Sequence, residues 1–270
     1  HRRKHNYTSE VEINNAKLLG ERRLSLWRSV LAEPHPNLRL VFVSQHLADE
    51  VVEDSDLAVP ASQLSVIHNP IDTSLFTYEP KPTLQRTKIL SVRPFADRTY
   101  ANDLSVAAIL KLSEKPFFDE LDFHIIGDGL LFDEMVEPLR RFSNVLIEKG
   151  FISQAQIADL HKEYGVFLVP SRLDSQGVSR DEAMASGLVP VTSAVAAIPE
   201  FVDDDCGFLA PAEDAAALAA AIESLYNDPA LFQRLSANAA ARVRRQSGPE
   251  QTIDKELALF QTSRPKLPSV

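Results

Sequence analysis

Asp174 and Glu182 lie in the stretch of the chain best suited to chemistry, Pro170 to Pro190 (PSRLDSQGVSRDEAMASGLVP). Asp174 falls in a polar loop, and Glu182 falls in the first turn of a helix expected to open near Ser179. Between them, the backbone N–H groups of Gln176, Gly177 and Val178 lead into the helix N-terminus, where unpaired donors favour an anionic or hydroxyl-rich ligand. A glycine at 177 lets such a ligand come close to the backbone. The same residues also have a structural reading. Ser179-x-x-Glu182 fits a capping box, in which the acid folds back onto the cap residue's N–H. Spacing alone favours that role for Glu182, and a lone loop aspartate is usually a solvated one.

A second group is Ser91-Val92-Arg93-Pro94-Phe95-Ala96-Asp97-Arg98, at the end of an apolar run. A guanidinium can hold two phosphate oxygens at once, and Arg93 and Arg98 stand at this strand end. Taken alone they are two surface arginines. Gly127-Asp128-Gly129 follows another apolar run and opens a helix. It is an incomplete dinucleotide fingerprint, because Phe132 stands where the third glycine would be.

These groups need a scaffold, and the sequence supplies its rhythm. Short apolar runs at 89–92, 123–126, 145–147, 166–169 and 189–191 read as buried strands. Helical patterns at 103–113, 130–142, 154–164 and 179–186 separate them. This alternation predicts an α/β fold, a parallel sheet with helices on both faces. Ligands of such sheets sit beyond the carboxyl ends of the strands, where both groups fall. Two helices are expected next, at 214–226 and after Asp228-Pro229, an N-cap with proline at N1. Before residue 80 the texture differs: a helix over 8–34, a strand over 38–43, a helix over 45–53 capped by Ser44, and a strand over 64–67. The aperiodic stretch 77–87, with Pro80 and Pro82, is the best linker candidate. Residues 1–80 are thus expected to be the remnant of one domain and 81–270 a second.

Composition narrows the function. The chain has 270 residues, enough for one core and part of another, and a net charge of -10 that argues against a nucleic-acid partner. No apolar run reaches the roughly 20 residues that span a bilayer. The opening His1-Arg2-Arg3-Lys4-His5 lacks the apolar stretch of a secretory signal. Cys206 is the single cysteine, which fits a reducing, cytoplasmic setting. Asn6-Tyr7-Thr8 matches a glycosylation acceptor but carries little weight without secretion. Asp54-Ser55-Asp56 and Asp203-Asp204-Asp205 both satisfy Asp-x-Asp, a pattern near chance in an acidic chain. The histidines show no metal-ligand spacing, although His46 and His68 fall where two domains would meet.

The segment from Asp174 to Glu200, with Glu182-Ala183-Met184-Ala185-Ser186-Gly187, Pro190-Val191 and Pro199-Glu200, resembles the Glu-x7-Glu signature of retaining GT-B glycosyltransferases. The resemblance covers about residues 40 to 260. It implies that Asp174 lies beside the transferred sugar and that Glu182 binds the ribose hydroxyls of a nucleotide donor. Asp174 departs from the family's usual Glu. The resemblance further implies that Arg93 and Arg98 grip the diphosphate, with Arg98 in place of a Lys. Gly127 and Gly129 then line the donor cleft, and Phe151 and Ile152 lie near the nucleobase. It implies transfer from a nucleotide-diphosphate sugar to a glycan or lipid-linked acceptor, as in bacterial surface polysaccharide synthesis, with neither cofactor nor metal. The acceptor half would be largely absent, and peripheral contact with the inner face of a membrane would run through it. A non-catalytic nucleotide-binding module, a sugar-nucleotide epimerase or phosphorylase on the same fold, and a nicotinamide oxidoreductase are the alternatives.

Overall fold

A computed structural model describes residues 10–31, 38–56 and 59–262. The basic opening and the Asn6-Tyr7-Thr8 match lie outside the described residues. In chain order, helix α1 (Glu10–Leu31) precedes strand β1 (Leu40–Phe42), helix α2 (Gln45–Ser55) and strand β2 (Leu64–Val66). The regular half follows: β3 (Lys88–Val92), α3 (Asn102–Leu112), β4 (Asp122–Gly127), α4 (Phe132–Val136), β5 (Val145–Lys149), α5 (Gln154–Glu163), β6 (Val166–Leu168), α6 (Val178–Ala185), β7 (Val189–Ser193) and β8 (Phe208–Ala210). Helices α7 (Ala215–Asn227), α8 (Pro229–Ser247) and α9 (Pro249–Thr262) close the described chain.

Among the described residues the strands form two sheets. β1 and β2 pair in parallel, and the larger sheet runs β5-β4-β3-β6-β7-β8, parallel at every pairing. The order reverses between β3 and β6, the switch point at which an open parallel sheet leaves a crevice at its carboxyl edge. The central strands β3, β4, β6 and β7 are buried, mostly apolar runs such as Ile89, Leu90, Val166 and Phe167, because helices cover both faces. One face packs on α3 and α7 through Leu104, Ile109, Leu218 and Ile222, while Met184, Ala185, Ala239 and Val243 join α6 to α8.

Local chemistry explains the element ends. Ser44 caps α2 by accepting from the Leu47 N–H, and Asp228 caps α8 with Pro229 at its first position, both as the sequence predicts. The helix expected over 130–142 is cut short: α4 ends at Val136 and a 3-10 turn follows at Glu137–Leu139, where Pro138 cannot donate to the helix ladder. β8 is an addition. Its apolar run, Phe208-Leu209-Ala210, is bounded at once by Gly207 and Pro211 and reads as a turn region in the sequence. The stretch 77–87 connects the two sheets as a docked strap, with Lys81 buried and donating to the His161 carbonyl.

Candidate functional site

Arg93 follows the last residue of β3, so the strand delivers its side chain to the crevice. It is only 6% exposed. Its Nη1 donates to the Ser179 hydroxyl at 3.0 Å, its Nη2 lies 3.8 Å from Asp174 Oδ2, and its carbon centre sits 4.4 Å over the Tyr100 ring. Neither Nη2 nor Nε has a hydrogen-bond partner. A buried guanidinium with two orphaned nitrogens is costly, since desolvation is not repaid by pairing. Burial accordingly pushes its pKa down to about 10, against the opposing pull of Asp174.

The geometry removes the capping-box reading of Ser179 and Glu182. α6 begins at Val178, one residue earlier than expected, and its N-cap is Gly177 in a left-handed conformation (φ 92) with no side-chain cap bond. A Cβ there would lie 2.7 Å from Arg180 Nη1, so a side chain has neither the space nor the backbone geometry. Ser179 is freed to accept from Arg93. Glu182 is buried, and its Oε1 accepts from Gln154 Nε2 at 3.1 Å. Burial raises its pKa to about 7, offset partly by that hydrogen bond and reinforced by the Asp181 charge.

Asp174 Oδ1 accepts from the Gln176 N–H at 3.2 Å, which folds the loop back on itself. The Gln176 side chain is committed elsewhere. Its Oε1 accepts from the Asn69 N–H at 2.7 Å and its Nε2 donates to the Asn69 carbonyl at 3.2 Å and to Asp181 Oδ2 at 3.1 Å. Asp181 and Arg180 form a fully buried ion pair at 2.6 Å beneath the loop, with Arg180 lying over Phe201. Val178 is partly exposed.

Arg98 faces a different acid from Arg93. It is about half exposed, and its Nη1 lies 3.8 Å from Asp103 Oδ2. Asp103 is already held by Arg172 through two bonds of 2.8 Å.

Gly127 and Gly129 act first on the chain itself. A Cβ on Gly127 would meet the Arg93 carbonyl at 2.0 Å, and one on Gly129 would meet the Phe95 carbonyl carbon at 2.3 Å. The two turns are tied by Phe95 N–H to Asp128 O (2.8 Å) and Leu131 N–H to Phe95 O (3.0 Å). Phe132, in the third-glycine position, is buried edge-on against Phe95 at 4.8 Å, so the turn braces the loop that carries Arg93. Phe151 is 82% exposed beside this turn, joined through the Gly150 N–H to the Gly127 carbonyl, while Ile152 packs into the core.

The first part of the chain is docked on this edge. Glu200 accepts from the Gln45 N–H at 2.9 Å and the His46 N–H at 2.6 Å, capping α2 from 155 positions away in sequence. His68 bonds the Val43 carbonyl at 2.8 Å and stands edge-on to Phe201. Between the two parts lies a cleft of about 470 Å³ lined by His46, Glu50, Asp97, Tyr100, Asp174 and neighbours. Of the two Asp-x-Asp stretches, Asp203 is engaged by Arg242 and by Cys206 Sγ, a fixed structural use. Tyr100, Gln154, Arg172 and the Arg180–Asp181 pair were not singled out by sequence. Their only signal was position, within or beside the loops at strand ends.

The family model described as glycosyl transferases group 1 matches residues 86–228, more than half of the chain. A D-inositol 3-phosphate glycosyltransferase of Streptomyces avermitilis is 32% identical over 120 residues, 43% of this chain and 26% of that protein. An MMP alpha-(1->4)-mannosyltransferase of Mycolicibacterium hassiacum is 27% identical over 208 residues, 75% of this chain and 49% of that one. The chain thus spans between about a quarter and half of these relatives' lengths. Among solved structures, a glycosyltransferase from Rickettsia africae superposes with TM-score 0.74 at 15% identity, covering 90% of this chain and 68% of that chain. Anabaena HepE in complex with UDP-glucose gives TM-score 0.70 at 17% identity over 89% of this chain and 68% of its own. The fold is therefore of the α/β, GT-B type, and the chain belongs to the glycosyl transferases group 1 family.

Proposed function

We propose that this chain carries the donor-binding half of a retaining glycosyltransferase that moves a sugar from a nucleotide-diphosphate donor to a glycan or lipid-linked acceptor, in surface polysaccharide synthesis. The observation that carries the reading is Arg93, a buried cation at the carboxyl end of β3 with two nitrogens unpartnered beside Asp174 and Ser179. An anionic group placed there would satisfy what the fold leaves unsatisfied. In this reading Arg93 and Arg98 hold the diphosphate, Asp174 lies beside the sugar and Glu182 binds the ribose hydroxyls. The N–H groups of the 176–178 turn and the Gly127-x-Gly129 turn line the donor cleft, with Phe151 and Ile152 toward the base. Neither metal nor cofactor is part of the proposal. The domain division near residue 80 belongs to it as well.

The chemistry is electrostatic. The bond from the anomeric carbon to the diphosphate oxygen breaks, its electron pair stays on the diphosphate, and fixed cations stabilise the charge as it develops. The acceptor oxygen bonds to that carbon on the face the phosphate leaves, and its proton passes to a phosphate oxygen. Two features support a donor that sits on a rigid surface: the Arg93 loop is braced by Gly127 and Gly129, and Glu182 is fixed by Gln154.

Calorimetric titration with UDP, GDP, ADP, their sugar conjugates and NAD tests this reading. Binding of one nucleoside diphosphate, tightened by its sugar, is expected. Binding of NAD with no response to the diphosphates would overturn it.

A further inference from the structure

Arg172 lies two residues before Asp174 and uses every donor of its guanidinium. Nη1 donates to the Arg98 carbonyl at 2.9 Å and to Asp103 Oδ1 at 2.8 Å, and Nη2 donates to Asp103 Oδ2 at 2.8 Å. Nε and Nη2 each donate to Glu213 at 2.7 Å. Its own N–H donates to the Thr99 carbonyl at 2.8 Å, and the Ser171 hydroxyl donates to the same oxygen at 3.2 Å. Arg172 therefore stitches the loop of Arg98 to the loop of Asp174. Glu213 reaches it from a left-handed backbone conformation (φ 60), which a non-glycine residue keeps only where its surroundings hold it.

The pairing at Asp103 has a direct effect on Arg98. The oxygen nearest to Arg98, at 3.8 Å, is the one that accepts from Arg172 at 2.8 Å. Two arginines thus compete for one carboxylate, and the bidentate fork of Arg172 wins. Burial pushes the Asp103 carboxyl up, but the hydrogen bonds and charge of Arg172, with the charge of Arg98, hold it below the ordinary carboxylate range. Asp103 is therefore a full negative charge near neutrality, available to whichever guanidinium reaches it.

We propose that Arg172 is a positioning residue: by occupying both oxygens of Asp103 it keeps Arg98 out of a close ion pair and leaves that guanidinium for the donor's diphosphate. This rests on the reading of Arg98 given above. Without Arg172, Asp103 closes on Arg98, and a diphosphate has to displace a carboxylate before it can bind.

The test is a double-mutant cycle on the whole chain, titrated in parallel with UDP and GDP. Arg172→Met is expected to weaken diphosphate binding by about tenfold, the worth of one charge-assisted contact. Adding Asp103→Asn, which removes the competing charge, should restore affinity to within about threefold of the unmodified chain, although the stitch between the loops is still gone. A purely structural role predicts the reverse, with affinity no better in the double variant than in Arg172→Met. That result, or unchanged affinity in Arg172→Met, overturns the proposal. If Arg172→Met does not fold, Arg172→Lys takes its place, since one ammonium cannot cover both oxygens of Asp103. Arg98→Met separates the two layers. Unchanged diphosphate affinity there overturns the reading of Arg98 and the inference with it, whereas a loss there alongside an unaffected Arg172→Met overturns the positioning role alone.

Discussion

Replacing Arg93 with methionine should make this protein more stable while removing its affinity for nucleotides. Burial depresses the Arg93 pKa from the ordinary guanidinium range to about 10. Each unit is worth about 1.4 kcal/mol, so holding this cation inside the fold costs about 3 kcal/mol at any pH below about 10. Against that, the variant gives up the Ser179 hydrogen bond, about 1 kcal/mol, and the contact with the Tyr100 ring, about 1 kcal/mol. Methionine refills most of the volume with an apolar stem. The balance favours the variant by about 1 kcal/mol, a rise of about 2–4 °C in melting temperature for a chain of this size. The cost to binding is larger. Two charge-assisted hydrogen bonds to phosphate from the orphaned nitrogens are worth about 3 kcal/mol or more, so affinity for the best-bound of UDP, GDP and ADP should fall at least about 100-fold. Differential scanning calorimetry and isothermal titration on the same preparation read both quantities. A fall in melting temperature of several degrees with unchanged nucleotide affinity would refute the reasoning, because it would show that Arg93 is a structural cation repaid by contacts within the protein.

Other perturbations probe the surroundings. Burial raises the Glu182 pKa to about 7, so the folded state binds its proton more tightly than the unfolded chain, and this group's penalty grows as pH rises from about 4.5 through 7. Glu182→Gln should therefore melt higher than the unmodified chain at pH 8 and equally at pH 4, with nucleotide affinity reduced; a larger benefit at acid pH would contradict the assignment. Asp181→Ala leaves Arg180 charged and buried without its partner and should cost about 3–5 kcal/mol by urea denaturation, much of it recovered in Arg180→Met/Asp181→Leu. Glu200→Ala strips the acceptor from two N–H groups of α2. Hydrogen exchange should then accelerate at Gln45 and His46 while β3 to β7 remain protected.

The larger sheet was legible because its strands are apolar on both faces and the intervening helices carry their own periodicity, as in Ile89–Val92 and Phe123–Ile126. Ser44 and Asp228 could be assigned as caps because a cap bond spans three residues and needs no tertiary knowledge. What escaped depends on distant partners. Ser179 and Glu182 have capping-box spacing, yet Gly177 takes the cap position in a left-handed turn and Arg93 claims the serine from 86 positions away. Sequence spacing cannot show that competition. The role of Gly127 and Gly129 in bracing the Arg93 loop is hidden for the same reason, since the atoms they make room for belong to another strand's loop. Nothing in the sequence spacing marks Arg172, and only the convergence of Arg98, Asp103 and Glu213 on it distinguishes it.

The pair of hydrogen bonds between the Gln176 side chain and the Asn69 backbone has a thermodynamic consequence. The side-chain amide stands in for a neighbouring strand: one oxygen and one nitrogen meet a backbone N–H and C=O, a pattern a glutamate could not reproduce. The same residue's main-chain N–H is held by Asp174. Whatever displaces Asp174 therefore also bears on how firmly the segment around Asn69 is seated. Linkage makes the effect mutual: the factor by which seating that segment improves a ligand's affinity is the factor by which the ligand tightens the seat. Gln176 thus ties the segment around Asn69 and the loop of Asp174 into one hydrogen-bonded unit.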